Sequence, residues 1–117
     1  MNKKYSELLE DRCIMQSEKN LSEIMPFLDD AGHLIQLPAK HKKKLIAIWY
    51  LAGKIENGRE YTEPEINDLL DEWAVFRDHA TLRRELYNKH LISRTADGRL
   101  YWKEDTPTLA EFVARYV

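Results

Sequence analysis

Apolar residues return every three or four positions in several stretches of this chain and alternate in two short ones near its end. Leu45, Ile48, Trp49, Ala52 and Ile55 share one helical face, as do Ile66, Leu69, Leu70 and Trp73, so each stretch predicts an amphipathic helix. Leu82 and Leu86 set the inner side of a third helix over 78–89, with Thr81, Arg84, Glu85 and Asn88 turned outward. Residues 74–77 predict a short turn between the second and third helices that pins Val75 and Phe76 to the core. Beyond the third helix, 91–94 and 100–103 alternate like strands around Asp97-Gly98, a hairpin signal. Glu60-Tyr61 leaves room for one very short strand.

Thr62-Glu63-Pro64-Glu65 marks the sharpest boundary. Thr62 can cap the second helix while Glu65 reaches back to the cap amide, and Pro64 in the first turn forfeits no helical bond. Asp78 is the expected cap of the third helix. Thr106 and Pro107, as cap and first position, predict a C-terminal helix with Leu109, Phe112, Val113 and Tyr116 on its apolar side. Towards the other end, 4–16 predicts a helix with Leu8, Leu9, Arg12, Cys13 and Met15 as an imperfect apolar stripe. Leu21, Ile24, Met25 and Leu28 resume helical spacing across Pro26, which interrupts it. A turn at Asp29-Asp30-Ala31-Gly32 then precedes a short expected strand over 33–37, before Pro38.

Helix, capped helix, short turn, helix and basic hairpin form the layout of a winged helix-turn-helix. The expected fold is therefore α+β, mainly helical, with extra N- and C-terminal helices. Its expected organisation is a helical extension over 1–26, a winged-helix-like domain over 27–103 and a C-terminal helix over 104–117.

Composition narrows the class of protein. With 44% hydrophobic and 32% charged residues, the 117-residue chain reads as a soluble globular domain. No apolar run reaches the roughly 20 residues that cross a bilayer. The opening MNKKYSELLEDRC places charges where a signal peptide needs apolar residues. Cys13, the single cysteine, excludes an internal disulfide and fits a reducing compartment, so a cytoplasmic location is expected.

Net charge is −2, against nucleic acid at the level of the whole chain, but the base is concentrated. One block is Lys40, Lys42, Lys43 and Lys44, at the start of the first predicted helix, where cations oppose the macrodipole. The block therefore serves either solubility or an anionic partner. The other runs from Arg83 to Lys103.

If the third helix reads DNA, Thr81, Arg84 and Asn88 carry suitable side chains: arginine can bind guanine edges and asparagine adenine edges. Arg83, nearer the buried edge, stays open between a phosphate contact and an intradomain salt bridge. Arg94, Arg99 and Lys103 on the hairpin, with Lys42 and Lys43, are the remaining candidate phosphate contacts, and Tyr101 either stacks or packs. Trp49, Trp73 and Trp102 are expected as core anchors. His33, His41, His79 and His90 lack metal-ligand spacing, and no phosphate-cradling glycine loop or nucleophile motif occurs. Neither an enzyme, a cofactor nor a metal is expected.

Leu34-Ile35-Gln36-Leu37-Pro38-Ala39-Lys40, the lysine cluster, Gly58-Arg59-Glu60-Tyr61-Thr62-Glu63, Ala80-Thr81-Leu82-Arg83-Arg84-Glu85-Leu86 and Gly98-Arg99-Leu100-Tyr101-Trp102 follow in order. Together they resemble a small prokaryotic domain of unassigned function, found alone or fused to regulator-type DNA-binding domains. The likeness spans about 27–103. It implies a winged-helix-like domain with a regulatory neighbourhood, and brings no ligand, activity or catalytic residue. The leading expectation is a DNA-binding transcription regulator on double-stranded DNA, with a homodimer through its terminal helices. A protein-interaction module on the same scaffold is the second.

Overall fold

The structure, a computed structural model, describes residues 19–117. The predicted helix over 4–16, with Cys13, lies outside the described residues. Helix α1 (His41–Ala52) buries Leu45, Ile46, Ala47, Ile48, Leu51 and Ala52. So broad an apolar surface suits a helix covered on more than one side. Strand β1 (Glu60–Thr62), α2 (Glu63–Trp73), α3 (His79–Asn88), β2 (Ile92–Arg94), β3 (Leu100–Lys103) and α4 (Leu109–Tyr116) follow in order. The architecture is α+β, with about half of the described residues helical rather than the mainly helical chain expected. Its three antiparallel strands are ordered β1-β3-β2.

Local chemistry explains most boundaries. Glu65 N–H donates to Thr62 Oγ1 at 3.3 Å, and Thr62 N–H donates to Glu65 Oε1 at 3.0 Å, which closes the capping box before α2. The Thr62 amide, more than any other group, holds the Glu65 carboxyl below its usual range. Helix α3 ends in a Schellman turn. Leu91 N–H donates to Leu86 O at 2.9 Å and His90 N–H to Tyr87 O at 3.0 Å, with His90 left-handed at φ 61. Leu86 and Leu91, both buried, meet the motif's requirement for apolar residues at these positions. Helix α4 buries Leu109, Phe112 and Val113 and packs on α1. Two bonds fasten its end: His41 Nε2 lies 2.7 Å from Tyr116 O, and Tyr116 Oη donates to Lys89 O at 3.1 Å.

Several expectations are corrected. The strand over 33–37 reduces to single bridges at Leu34, antiparallel to Leu28 and parallel to Ala74. Gly32 in the left-handed region (φ 83) and Pro38, which has no N–H, bound the extended stretch closely. Val75 is not pinned to the core. Leu34 and Ala74 face inward across their bridge, so alternation turns Val75 outward, 48% exposed, beside Ile35 at 46%.

Asp78 occupies the cap position of α3, but its side chain makes no capping bond. Its φ of −115 and ψ of 53 depart from the extended backbone that aims a cap. Helix α4 starts at Leu109, later than expected, capped by Thr108, whose hydroxyl accepts from Glu111 N–H at 3.2 Å. The preceding Pro107 carbonyl is taken by Trp49 Nε1 at 2.9 Å, which anchors that linker to α1. Trp102 pairs with Glu60 and Ser93 on the outer side of the sheet and is half-buried, whereas Trp49 and Trp73 pack against the core. Around Pro26 the predicted helical stripe becomes a 3-10 turn, Met25–Phe27, with Ile24 buried and Met25 exposed.

Two substitutions test these local arguments by urea denaturation. Thr62→Ala is expected to destabilise by about 1 kcal/mol, through loss of the cap. His90→Gly is expected to stabilise by about 0.5–1 kcal/mol, because glycine takes the left-handed Schellman position without strain. A destabilised His90→Gly would contradict this account of the α3 terminus.

Candidate functional site

Helix α3 is oriented by Leu82 and Leu86, its two buried residues. With 3.6 residues per turn, that leaves Ala80, Arg84, Tyr87 and Asn88 exposed and Thr81 half-buried. Polar pairs tie its flanks to the neighbouring helices. His79 Nδ1 lies 3.1 Å from Asp71 Oδ1 of α2. Arg83 donates to Asn67 Oδ1 and lies 3.4 Å from Glu63 Oε1, so both contacts run to the same helix. On the other side Lys44 Nζ of α1 approaches Glu85 Oε1 at 3.5 Å. Glu85, expected outward, is therefore half-buried.

The hairpin stands beside the exposed side of α3. Its register places Tyr61, Tyr101 and Arg94 in one row across the three strands. Residues opposite one another in antiparallel strands share a face, so all three belong to the inner face of the sheet. Tyr61 and Tyr101 are buried, and Arg94 emerges at the open end of the row. Its guanidinium lies 5.2 Å from the ring centroid of Tyr87 on α3, a cation–π contact between the two elements.

Between helix and hairpin lies a cleft of about 380 Å³, walled by Arg83, Arg84, Tyr87, Arg94 and Tyr101. Glu63 contributes at one edge, and Asp97 and Gly98 close the hairpin end. Gly98 is left-handed at φ 71. A methyl group there would meet Arg94 Nη1 at 3.2 Å and Tyr101 Oη at 3.7 Å. Both atoms thus face the space above this glycine.

The carboxylates around the cleft are occupied. Glu63 pairs with Arg83. Asp97 Oδ1 accepts from Thr95 Oγ1 at 2.6 Å and from Arg99 N–H at 3.1 Å, while Oδ2 lies 3.3 Å from Arg99 Nε. The Thr95 hydroxyl, followed by the Arg99 amide, holds the Asp97 carboxyl below its usual range. Arg84 and Arg94 have no carboxylate within ion-pair distance among the described residues, so they carry the excess positive charge.

The structure thus gathers Arg83, Arg84 and Arg94 in one cleft and leaves the other candidates outside its lining. Thr81 and Asn88 lie on α3 outside the cleft lining. Arg99 is exposed at the hairpin tip, held by Asp97. Lys103 belongs to the far end of the β2–β3 ladder, opposite Ile92, where it borders a separate hollow with Trp102. Lys42 pairs with Glu23 Oε2 at 3.3 Å, and Lys43 is half-buried on α1. Tyr87 was not among the expected site residues. Its position three residues after Arg84 on the outward side was the available signal, since an exposed aromatic there has no core to fill. Among the described residues, no group of three or more His, Cys, Asp or Glu side chains is arranged to hold a metal ion, and no helix is long and apolar enough to cross a membrane.

Asp97 gives the hairpin a defined acid response. Its folded pKa is below the usual 3.8, so its contribution to stability is complete above that value and is lost as pH falls through the folded one. Followed by NMR, the Arg99 amide proton is expected to titrate with a midpoint below 3.8 and to show no such transition in Asp97→Asn.

No curated protein and no solved structure matches the chain. One family model matches residues 33–103, from just ahead of α1 to the end of β3, and so includes every strand and every element of the cleft. The chain therefore belongs to the family described as "uncharacterized protein conserved in bacteria" (DUF2087).

Proposed function

We propose that this protein binds double-stranded DNA as a bacterial transcription regulator, on a winged-helix scaffold with α3 as the reading helix and the β2–β3 hairpin as the wing. The order α1, β1, α2, α3, β2, β3 with sheet order β1-β3-β2 supports the scaffold. The observation that carries the function is the exposed outer side of α3, which shares a cleft with Arg94 of the hairpin and holds the unmatched Arg84. The resemblance to a domain fused with DNA-binding regulators points the same way.

In this reading Arg84 and Asn88 meet base edges, with Thr81 beside them. Arg94, Arg99, Lys103, Lys42 and Lys43 approach phosphates, and Arg83 holds α3 against α2. The apolar side of α4 is already buried within its own chain, so a homodimer spanning two half-sites would use other surfaces. A second reading, a protein-interaction module without DNA contacts, is favoured by the exposed neighbours Ile35 and Val75 and by the net charge of −2.

Fluorescence anisotropy with a labelled duplex of mixed sequence at several salt concentrations separates the two. The first reading expects log affinity to fall against log salt by about 0.9 per phosphate neutralised. Arg84→Ala should lower affinity by about 1–3 kcal/mol. No duplex binding at low salt would remove the DNA reading.

A further inference from the structure

We infer that the cleft between α3 and the hairpin is a phosphate-binding site, in which Tyr101 Oη donates a hydrogen bond and Arg84 and Arg94 supply the charge. This goes beyond the DNA reading, because the same atoms would serve a backbone phosphate or a free phosphate ester.

Tyr101 carries the argument. The residue is 4% exposed, with its backbone paired to β1 on one side and β2 on the other. The Arg83 guanidinium lies 5.8 Å from its ring centroid. Among the described residues its hydroxyl has no hydrogen-bond partner, although it forms part of the cleft wall. The side chain is buried, but its hydroxyl is not sealed from solvent, so it is available to whatever enters the cleft. Gly98, without a side chain and left-handed, leaves open the space that Tyr101 Oη and Arg94 Nη1 both face.

The charge arrangement selects the ligand. Glu63 and Asp97 are matched by Arg83 and Arg99, which leaves Arg84 and Arg94 for an incoming anion. Contact with the Tyr87 ring restrains the Arg94 guanidinium, so less of its freedom is lost on binding. Two guanidinium groups and a phenol offer more donors, over a wider spread of directions, than one planar carboxylate can accept together. A phosphate is tetrahedral and presents its anionic oxygens in several directions, singly charged in a backbone diester and up to doubly charged in a free ester, so it can accept from all three.

The test uses the full chain with two probes: inorganic phosphate, by calorimetry, and a labelled duplex, by anisotropy. Tyr101→Phe removes only the hydroxyl, and its melting temperature without ligand serves as the control for folding. Arg94→Gln removes the second donor, and Arg115→Gln, an exposed cation on α4, serves as the charge control. The inference expects Tyr101→Phe and Arg94→Gln each to weaken at least one probe by about tenfold, with Arg115→Gln unchanged. If duplex affinity falls, the site takes a backbone phosphate. If phosphate binding falls while duplex DNA does not bind, the site takes a free ester and the DNA reading fails alone. Duplex and phosphate binding both unaffected by Tyr101→Phe, or neither probe binding the parent protein, overturns the inference.

Discussion

Leu82 and Leu86, the two buried side chains of α3, set the rotation of that helix about its axis. Truncating either to alanine would cost about 2–5 kcal/mol, a large share of the 5–15 kcal/mol that a small domain has in total. The helix has no alternative face of comparable apolarity, because its remaining positions are polar, small or aromatic at the surface. The contacts of His79 with Asp71 and of Arg83 with Asn67 and Glu63 run along one flank and oppose rotation in the other direction. What α3 shows to solvent is thus a consequence of what it buries.

Charge is distributed by the same logic. Individually, exposed ion pairs contribute little, about 0–1 kcal/mol. Their larger effect here is to determine which cations remain uncompensated. Lys42 and Lys44 begin α1 where the helix dipole disfavours them, and Glu23 and Glu85 approach from other segments to offset that conflict. Arg59 lies between Glu56 and Glu65 at the start of β1. A chain with net charge −2 can therefore keep a local positive surface, because many of its carboxylates are engaged elsewhere.

Three helices, the hairpin and the capping box were legible in the sequence, since each rests on residues close together in the chain. Regular apolar spacing marks Leu45 to Ala52 and Ile66 to Leu70, and Asp97-Gly98 marks the turn. Less legible were features that depend on a distant partner. Leu34 makes a bridge one residue long, too short for any periodicity, and that bridge alone decides that Val75 faces outward. Thr108 rather than Thr106 caps α4 in a linker tied down by Trp49, far back in α1. Arg83 could be read from sequence as a phosphate ligand or as one half of an ion pair; Glu63 and Asn67, on another helix, favour the second geometry. The Tyr87–Arg94 contact joins a helix to a strand, and neither segment announces the other.

The turn after Asn88 has a mechanical consequence. Because the Leu91 amide bonds back to Leu86 and Ile92 already begins β2, almost no slack separates the helix from the first strand. The two elements behave as the arms of a bracket joined at a stiff corner. Spreading them apart would first break the Schellman bonds, so the gap between them can yield more easily at its free tip, around Ala96, than at its root. An occupant inserted near that tip would bend the hairpin, and tension would reach α3 through the corner rather than through a flexible tether.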